Sequence, residues 1–129
     1  MEFPIIIKKQ EASLYFFKKS QFGLVSKDGE AFYKYGTLYD SKGDVYKVNG
    51  INNKAKAPFL KSLMYFQQMY VVDINIKKVG AISLMEMKNV FSDHIAAHKR
   101  YWQNKDLIPD ILEALDMMES YEDIINYLR

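Results

Sequence analysis

The only two histidines of the chain, His94 and His98, are four residues apart, a spacing that lets two imidazoles on one helix reach the same metal ion. A hydrolytic zinc helix carries a glutamate directly after its first histidine, and Ile95 occupies that position here. Asp93, the adjacent carboxylate, would point about 100° away on a helix. We therefore expect no metal and no cofactor. We interpret the pair as part of an amphipathic helix, with His98 beside the core and His94 near the surface.

Acidic residues are concentrated at the end of the chain. Residues 106–129 carry seven carboxylates and one arginine, a charge of −6, against +5 for residues 1–64 and +3 for residues 65–105. The acids recur on the side of a predicted helix that lies opposite its apolar stripe, a pattern typical of a solvated face and also suited to a cationic partner. The candidate partner-binding residues are Asp106, Asp110, Glu113, Asp116, Glu119, Glu122 and Asp123.

Sequence patterns typical of catalytic sites are absent. The chain has no Gly-x-Ser-x-Gly nucleophile elbow, no Gly-x-Gly-x-x-Gly turn and no phosphate loop ending in Gly-Lys-Ser/Thr. It also has no cysteine, which excludes disulfides, thiolate zinc sites and a cysteine nucleophile. We expect a protein that is not an enzyme, and a hydrolase with an unrecognised carboxylate site is the third alternative after two binding functions.

Nucleic-acid binding is the second of these functions, suggested by the lysine-rich, aromatic first half. The chain has ten tyrosines and eight phenylalanines, and rings on lysine-bearing strands can stack bases and contact phosphates. Against this alternative, Arg100 and Arg129 are the only arginines, and the pI of about 8.6 is low for a nucleic-acid module.

Length and composition predict a single domain covering residues 1–129. With 49% hydrophobic residues, the chain can bury a core without disulfides. No apolar run is long enough to cross a membrane, and the first residues lack the basic and apolar regions of a signal peptide. We therefore expect a cytoplasmic protein without a membrane partner.

Strand patterns dominate the first eighty residues. The clearest is 70–76, where Tyr70, Val72, Ile74 and Ile76 should be buried and the polar residues between them exposed. Residues 52–58 have no periodicity and are predicted to be a surface loop, while 59–68 fit a helix about as well as a strand, and we favour a helix. The other predicted strands are 3–9, 12–19, 22–27, 30–35, 37–40 and 45–48, with turns at 28–29 and 41–44.

Helices are predicted in the last third of the chain. Ser83 and Glu86 have the spacing of a capping box, and apolar residues then recur every three or four positions, which predicts a helix over residues 83–101. A second helix begins at Asp106 or Ile108, and a third lies near the end of the chain. Strands followed by helices predict an α+β fold, an antiparallel β-meander in the N-terminal two thirds with the C-terminal helices packed on one face.

Three stretches form a recognisable combination. They are the hairpin 38–47 (Leu-Tyr-Asp-Ser-Lys-Gly-Asp-Val-Tyr-Lys), the strand-into-helix unit 71–90 with Gly-Ala-Ile-Ser-Leu-Met-Glu at its joint, and the closing Ser-Tyr-Glu-Asp-Ile-Ile-Asn-Tyr-Leu of 120–128. In these stretches the chain resembles the small cytoplasmic immunity proteins of bacterial polymorphic-toxin and contact-dependent inhibition systems.

The resemblance implies a protein without catalytic residues that binds one cognate toxin domain, often a nuclease, and blocks its active site or substrate groove. An acidic helical face suits such a partner, because a nuclease is cationic where it holds phosphates. The N-terminal lysines and the net charge of +2 suit it less well, and they also allow an acidic or mixed toxin surface.

Overall fold

The computed structural model describes residues 1–9, 12–16, 18–27, 33–34, 36–99 and 108–128. Within these ranges the chain forms six strands and four α-helices. The strands are β1 (Ile5–Lys9), β2 (Ala12–Phe16), β3 (Leu24–Val25), β4 (Thr37–Asp40), β5 (Asp44–Lys56) and β6 (Tyr70–Ala81). The helices are α1 (Phe59–Met64), α2 (Leu84–Ala97), α3 (Ile108–Asp116) and α4 (Tyr121–Leu128), and a short 3-10 helix covers Lys19–Gln21.

The six strands form one curled antiparallel sheet in the order β2-β1-β4-β5-β6-β3, and the predicted α+β class is confirmed. β4, β5 and β6 are neighbours in chain order, as in a meander. β3 lies instead at the far edge, where its two residues pair with Val71 and Tyr70. The curl brings the end of β2 close to this edge, since the Phe16 ring lies 5.6 Å from the ring of Phe22, just before β3.

Strand β1, the neighbour of the edge strand β2, is buried on both faces. Its three consecutive isoleucines, Ile5, Ile6 and Ile7, are completely inaccessible. Ile6 packs on the side covered by the helices, and Ile5 and Ile7 pack on the opposite side. A strand covered on both faces needs a continuous apolar run instead of alternation, which explains the Ile-Ile-Ile sequence.

The first core lies between the sheet and the C-terminal helices, as predicted. Phe91 of α2 is completely buried, and its ring meets that of Tyr39 on β4 edge to face at 5.4 Å between centroids. The other buried members of this core are Ile6, Val45, Met87, Ile95, Ile111, Leu115, Ile124, Ile125 and Leu128.

The second core lies on the other face, inside the curl of the sheet. Its aromatic members include Phe3, Phe16, Phe22 and Tyr33. The hydroxyl of Tyr33 accepts a hydrogen bond from Gly23 N at 3.3 Å, and burial raises the pKa of Tyr33 to about 12. The hairpin turn predicted at residues 28–29 lies outside the described residues.

β5 and β6 form a long two-stranded ribbon. Their pairing runs from Asp44 opposite Ala81 to Lys56 opposite Tyr70. The prediction of a surface loop over 52–58 is therefore wrong, because pairing with β6 extends β5 to Lys56 despite its polar sequence. The ladder is irregular at three places, and Asn53 has a φ of 57°, a left-handed conformation that asparagine adopts more readily than most residues.

The alternation predicted for β6 is confirmed, although only Val72 is fully buried, while Tyr70, Ile74 and Ile76 are half-buried.

The cap of α2 is confirmed as well, since Ser83 Oγ accepts a hydrogen bond from Glu86 N at 3.1 Å. α2 ends at Ala97, earlier than the predicted residue 101, which itself lies outside the described residues. The helix predicted over 59–68 is present as α1.

We expect Phe91→Ala to lower the free energy of unfolding by about 3–5 kcal/mol, because it removes a buried ring and leaves a cavity. Urea unfolding measures this loss. Phe66→Ala is the matched control, since Phe66 is 93% exposed and its truncation should change the free energy by under about 0.5 kcal/mol. Similar losses in both variants would contradict the packing of α2 on the sheet.

Candidate functional site

The candidate site is centred on α3, whose three carboxylates form what we call the acidic face: Asp110, Glu113 and Asp116. All three are exposed, and helix geometry places them within about 120° of one another. Of the other predicted site residues, Glu119 is exposed in the connection to α4, and Glu122 and Asp123 are exposed in the first turn of α4. Asp106 lies outside the described residues.

The opposite side of α3 explains why its acids face solvent. Ile111 and Leu115 are buried in the first core, and they fix the orientation of the helix against that core. α4 is oriented in the same way by Ile124, Ile125 and Leu128. Carboxylates in the first turn of α4 also interact favourably with the positive end of its dipole, and Asp123 N donates to Ser120 Oγ at 3.0 Å.

The acidic face is not neutralised by cations of its own chain within the described residues. The salt bridges formed there join Lys42 to Glu2 and Lys78 to Asp44, and neither involves a carboxylate of α3. One ammonium group lies at the end of α3, where Lys88 Nζ donates to the backbone carbonyl of Asp116 at 2.7 Å. The three carboxylates therefore present negative charge to solvent.

An exposed methionine accompanies the acidic face. Met117 directly follows Asp116 and is 74% exposed, and Met85, one turn before Lys88 on α2, is 61% exposed. Methionine is flexible and polarisable, and it is used at binding surfaces that adapt to a partner. Met117 could not be identified from the sequence, because a single methionine after a helix gives no periodic signal.

The structure reverses the predicted placement of the two histidines. His94 is buried, with 5% of its surface exposed, whereas His98 is half-buried and ends α2 as its C-cap. The prediction was wrong because α2 turns the side containing Phe91 and His94 towards the core and stops before His98. The rings lie 5.0 Å apart, and the described residues contain no group of three or more potential metal ligands.

Two surface clefts lie among the described residues outside the acidic face. A cleft of about 450 Å³ beside β5 is lined by Lys34, Gly36, Lys47, Val48, Asn49, Gly50 and Ile51. A second cleft of about 370 Å³ beside α1 is lined by Phe59, Ser62, Leu63, Phe66, Gln67 and Gln68. The described lining of both lacks a carboxylate or an imidazole.

A second exposed surface surrounds α1, and we call it the apolar tip: Phe59, Leu60, Leu63, Met64, Tyr65 and Phe66. These residues form the connection between β5 and β6, at the end of the ribbon. A backbone hydrogen bond joins the two ends of the tip, because Ala57 N, after β5, donates to the carbonyl of Met69, before β6, at 2.9 Å. The helical pattern of 59–68 was recognised in the sequence, but its exposure was not.

Comparison with known proteins finds no matching family model, no similar curated protein and no similar solved structure. Among the described helices, none is both long and apolar enough to cross a membrane.

Burial of His94 makes stability dependent on pH. Burial lowers the pKa of His94 from 6.5 to about 4, and the neighbouring charges of Lys8 and His98 contribute in the same direction. Between these pKa values the unfolded chain binds a proton that the folded protein excludes, so stability falls as the pH falls below about 6.5.

We expect the free energy of unfolding to fall by about 2 kcal/mol between about pH 7 and about pH 5, because the unfolded chain gains a proton on His94 over this range. Urea unfolding at the two pH values measures this change.

The variant His94→Gln should reduce this pH dependence, whatever its effect on stability at neutral pH. The variant His98→Gln is the matched control and should retain most of it. An unchanged slope in His94→Gln would show that another group is responsible.

Proposed function

We propose that this protein is a cytoplasmic, non-catalytic immunity protein that binds and inhibits a cationic bacterial protein toxin through the acidic face of α3. The observation that carries the proposal is the exposure of three carboxylates on one side of a helix, without a salt bridge to their own chain among the described residues. This side of α3 carries charge of one sign only, which is the property a cationic partner would be attracted to.

Such a surface acts first on the rate of association. Charge of one sign attracts a partner of the opposite sign from a distance and can raise the association rate by orders of magnitude. Glu119, Glu122 and Asp123 extend the negative charge beyond α3 towards α4. Short-range contact would then come from Met117, which provides apolar surface next to the carboxylates.

The support of α3 suits an inhibitor. Ile111 and Leu115 fix α3 on the first core, and Lys88 holds its last turn through the Asp116 carbonyl. A surface on a supported helix loses little conformational entropy on binding, which favours a tight complex.

Nucleic-acid binding is the alternative, and the cleft with Lys34 and Lys47 is the feature that favours it, because two ammonium groups there could contact phosphates. The aromatic part of that hypothesis has less support. Lys54 Nζ lies over one face of the Tyr70 ring, 4.7 Å from its centre. A base could not stack on that face while the ammonium group covers it.

Reversing the charge of the acidic face tests the proposal. The triple variant Asp110→Lys, Glu113→Lys and Asp116→Lys should slow association with the cognate toxin at least about tenfold and abolish protection. The partner to use is the C-terminal domain encoded by a neighbouring toxin gene, co-expressed with this chain. Growth reports protection, and surface plasmon resonance reports the association rate.

The matched control reverses three exposed lysines, Lys34, Lys47 and Lys77, to glutamate, and two of them line the cleft that favours nucleic-acid binding. It changes the net charge by the same amount in the opposite sense and should leave protection intact. A toxin that binds both triple variants equally well would refute the acidic face as the contact surface. Loss of affinity for oligonucleotides in the lysine variant, with a steep dependence on salt, would favour the nucleic-acid alternative.

A further inference from the structure

Helix α1 is oriented with its polar side inwards. Its one buried side chain is Ser62, which is 7% exposed. Ser62 Oγ accepts hydrogen bonds from Met69 N at 3.0 Å and from Gln68 Nε2 at 3.2 Å. A helix of a soluble protein normally buries its apolar side, so α1 is reversed relative to the usual arrangement.

The apolar side of α1 faces solvent as a continuous strip. Phe59, Leu60, Leu63 and Met64 fall within about 140° on the helix, by helix geometry. They are between 54% and 77% exposed, and the strip continues into Tyr65 and Phe66 after the helix. Six large apolar side chains in eight consecutive positions are far more than the scattered surface residues of an ordinary protein.

Phe66, at the end of the strip, is exposed and has a strained backbone conformation. It is 93% exposed and has a φ of 57°, a left-handed backbone conformation that is rare for a bulky residue. Phe66 N donates to the carbonyl of Leu63 at 3.1 Å, which closes the last turn and directs the chain back towards β6. Residues held in such strained backbone conformations cluster at active sites, ligand clamps and switch regions.

The surroundings of the apolar tip are positively charged. Residues 54–69, which run from the end of β5 through α1, include three lysines and no acid. Lys54, Lys56 and Lys61 are exposed, Lys61 lies on α1 itself, and Lys54 Nζ donates to the carbonyl of Lys27 at 3.0 Å. The partner strand carries one acid near this end, Asp73, which accepts a hydrogen bond from Asn53 Nδ2 at 2.8 Å. Lysines therefore outnumber acids around the tip, which favours an occupant that is apolar in its interior and negatively charged at its edge.

Among the possible occupants, an anionic lipid surface fits this combination best. Phenylalanine, leucine and methionine surrounded by lysine are typical of segments that lie in the bilayer interface, and each lysine near an anionic bilayer adds to binding. Protein interfaces are also enriched in phenylalanine, tyrosine and methionine, which the tip contains, but they are depleted in lysine, which surrounds it, and lysine is the feature that favours the lipid surface. Two tips in a symmetric dimer would bring their lysines together, which is repulsive.

We infer that the apolar tip docks into the interface of an anionic phospholipid bilayer, with the surrounding lysine ammonium groups at the level of the headgroup phosphates. The strip on α1, with Phe66, enters the acyl boundary, and the ribbon carries the rest of the protein above the surface. This is peripheral docking by a short segment, which the expectation of no membrane partner did not foresee. It goes beyond the proposed immunity function and does not rest on it.

Co-sedimentation of the full chain with vesicles tests this inference. We use vesicles of phosphatidylglycerol and phosphatidylcholine in equal parts, and vesicles of phosphatidylcholine alone. Binding to the anionic vesicles should be at least about tenfold tighter and should weaken with added salt, because the lysine contribution is electrostatic. Hydrogen exchange should slow at residues 59–66 on the anionic vesicles.

Two pairs of variants separate the apolar and the electrostatic contributions. Leu60→Ser with Phe66→Ser should weaken vesicle binding at least about tenfold, because binding scales with the apolar area inserted. Val79→Ser with Met85→Ser removes two exposed apolar residues elsewhere and should have no effect. Lys61→Glu should weaken binding about tenfold or more, while Lys99→Glu, a reversal at another exposed lysine, should change it little.

The inference is overturned if the wild-type protein does not bind the anionic vesicles, or if the tip variants bind as well as their controls. Self-association that is lost in the Leu60 and Phe66 variant, measured by sedimentation velocity without lipid, would assign the tip to a second copy of the chain. Loss of toxin protection in that variant, without any vesicle binding, would assign it to a protein pocket. The acidic reversal tests the immunity function separately, so the two proposals can fail independently.

Discussion

A buried carboxylate at the end of β4 determines how the central strands meet. Asp40 is 1% exposed, and its oxygens accept hydrogen bonds from the backbone N–H groups of Glu2, Lys42 and Asp44 at 2.9 to 3.0 Å. A buried charge is tolerated only with such donors. These donors belong to the segment entering β1, the turn after β4 and the start of β5. One side chain therefore connects three strands that are adjacent in the sheet.

The same turn connects the sheet to the last helix. Gly43 has a φ of 84°, and a Cβ at this position would lie 2.6 Å from the Tyr121 ring, so no other residue fits without rearrangement. Gly43 O accepts from Ile82 N at 2.8 Å, and the Tyr121 hydroxyl donates to the carbonyl of Ile82 at 2.7 Å. The start of α4 and the end of β6 are thus held at one point, which stabilises the helical layer that contains the acidic face.

Local features of this fold could be predicted from the sequence, and features that depend on distant segments could not. The alternation in β6 and the Ser83 cap depend on neighbouring residues, and both are confirmed. β5 extends to Lys56 only because β6 is available to pair with it, and nothing in the polar sequence of 52–58 indicates that partner. The acids of α3 could be placed on the solvent side from their periodicity, whereas the burial of His94 depends on how α2 meets the sheet. The outward strip of α1 has the period of a core helix, so periodicity alone could not reveal which side faces solvent.

The sharing of β1 between two cores has a consequence for how the molecule fluctuates. Ile5 and Ile7 line one core and Ile6 the other, so β1 can separate only when both are lost, and the centre should open cooperatively. Residues 52–56 of the ribbon are all exposed, and their hydrogen bonds are supported mainly by the partner strand. The opposite residues of β6 are held more firmly, because Tyr70 and Val71 pair with β3 and Val72 is buried in the second core. Local opening at this end is therefore confined to the edge formed by β5, and contact at the tip would reduce the motion of that edge without straining the interior.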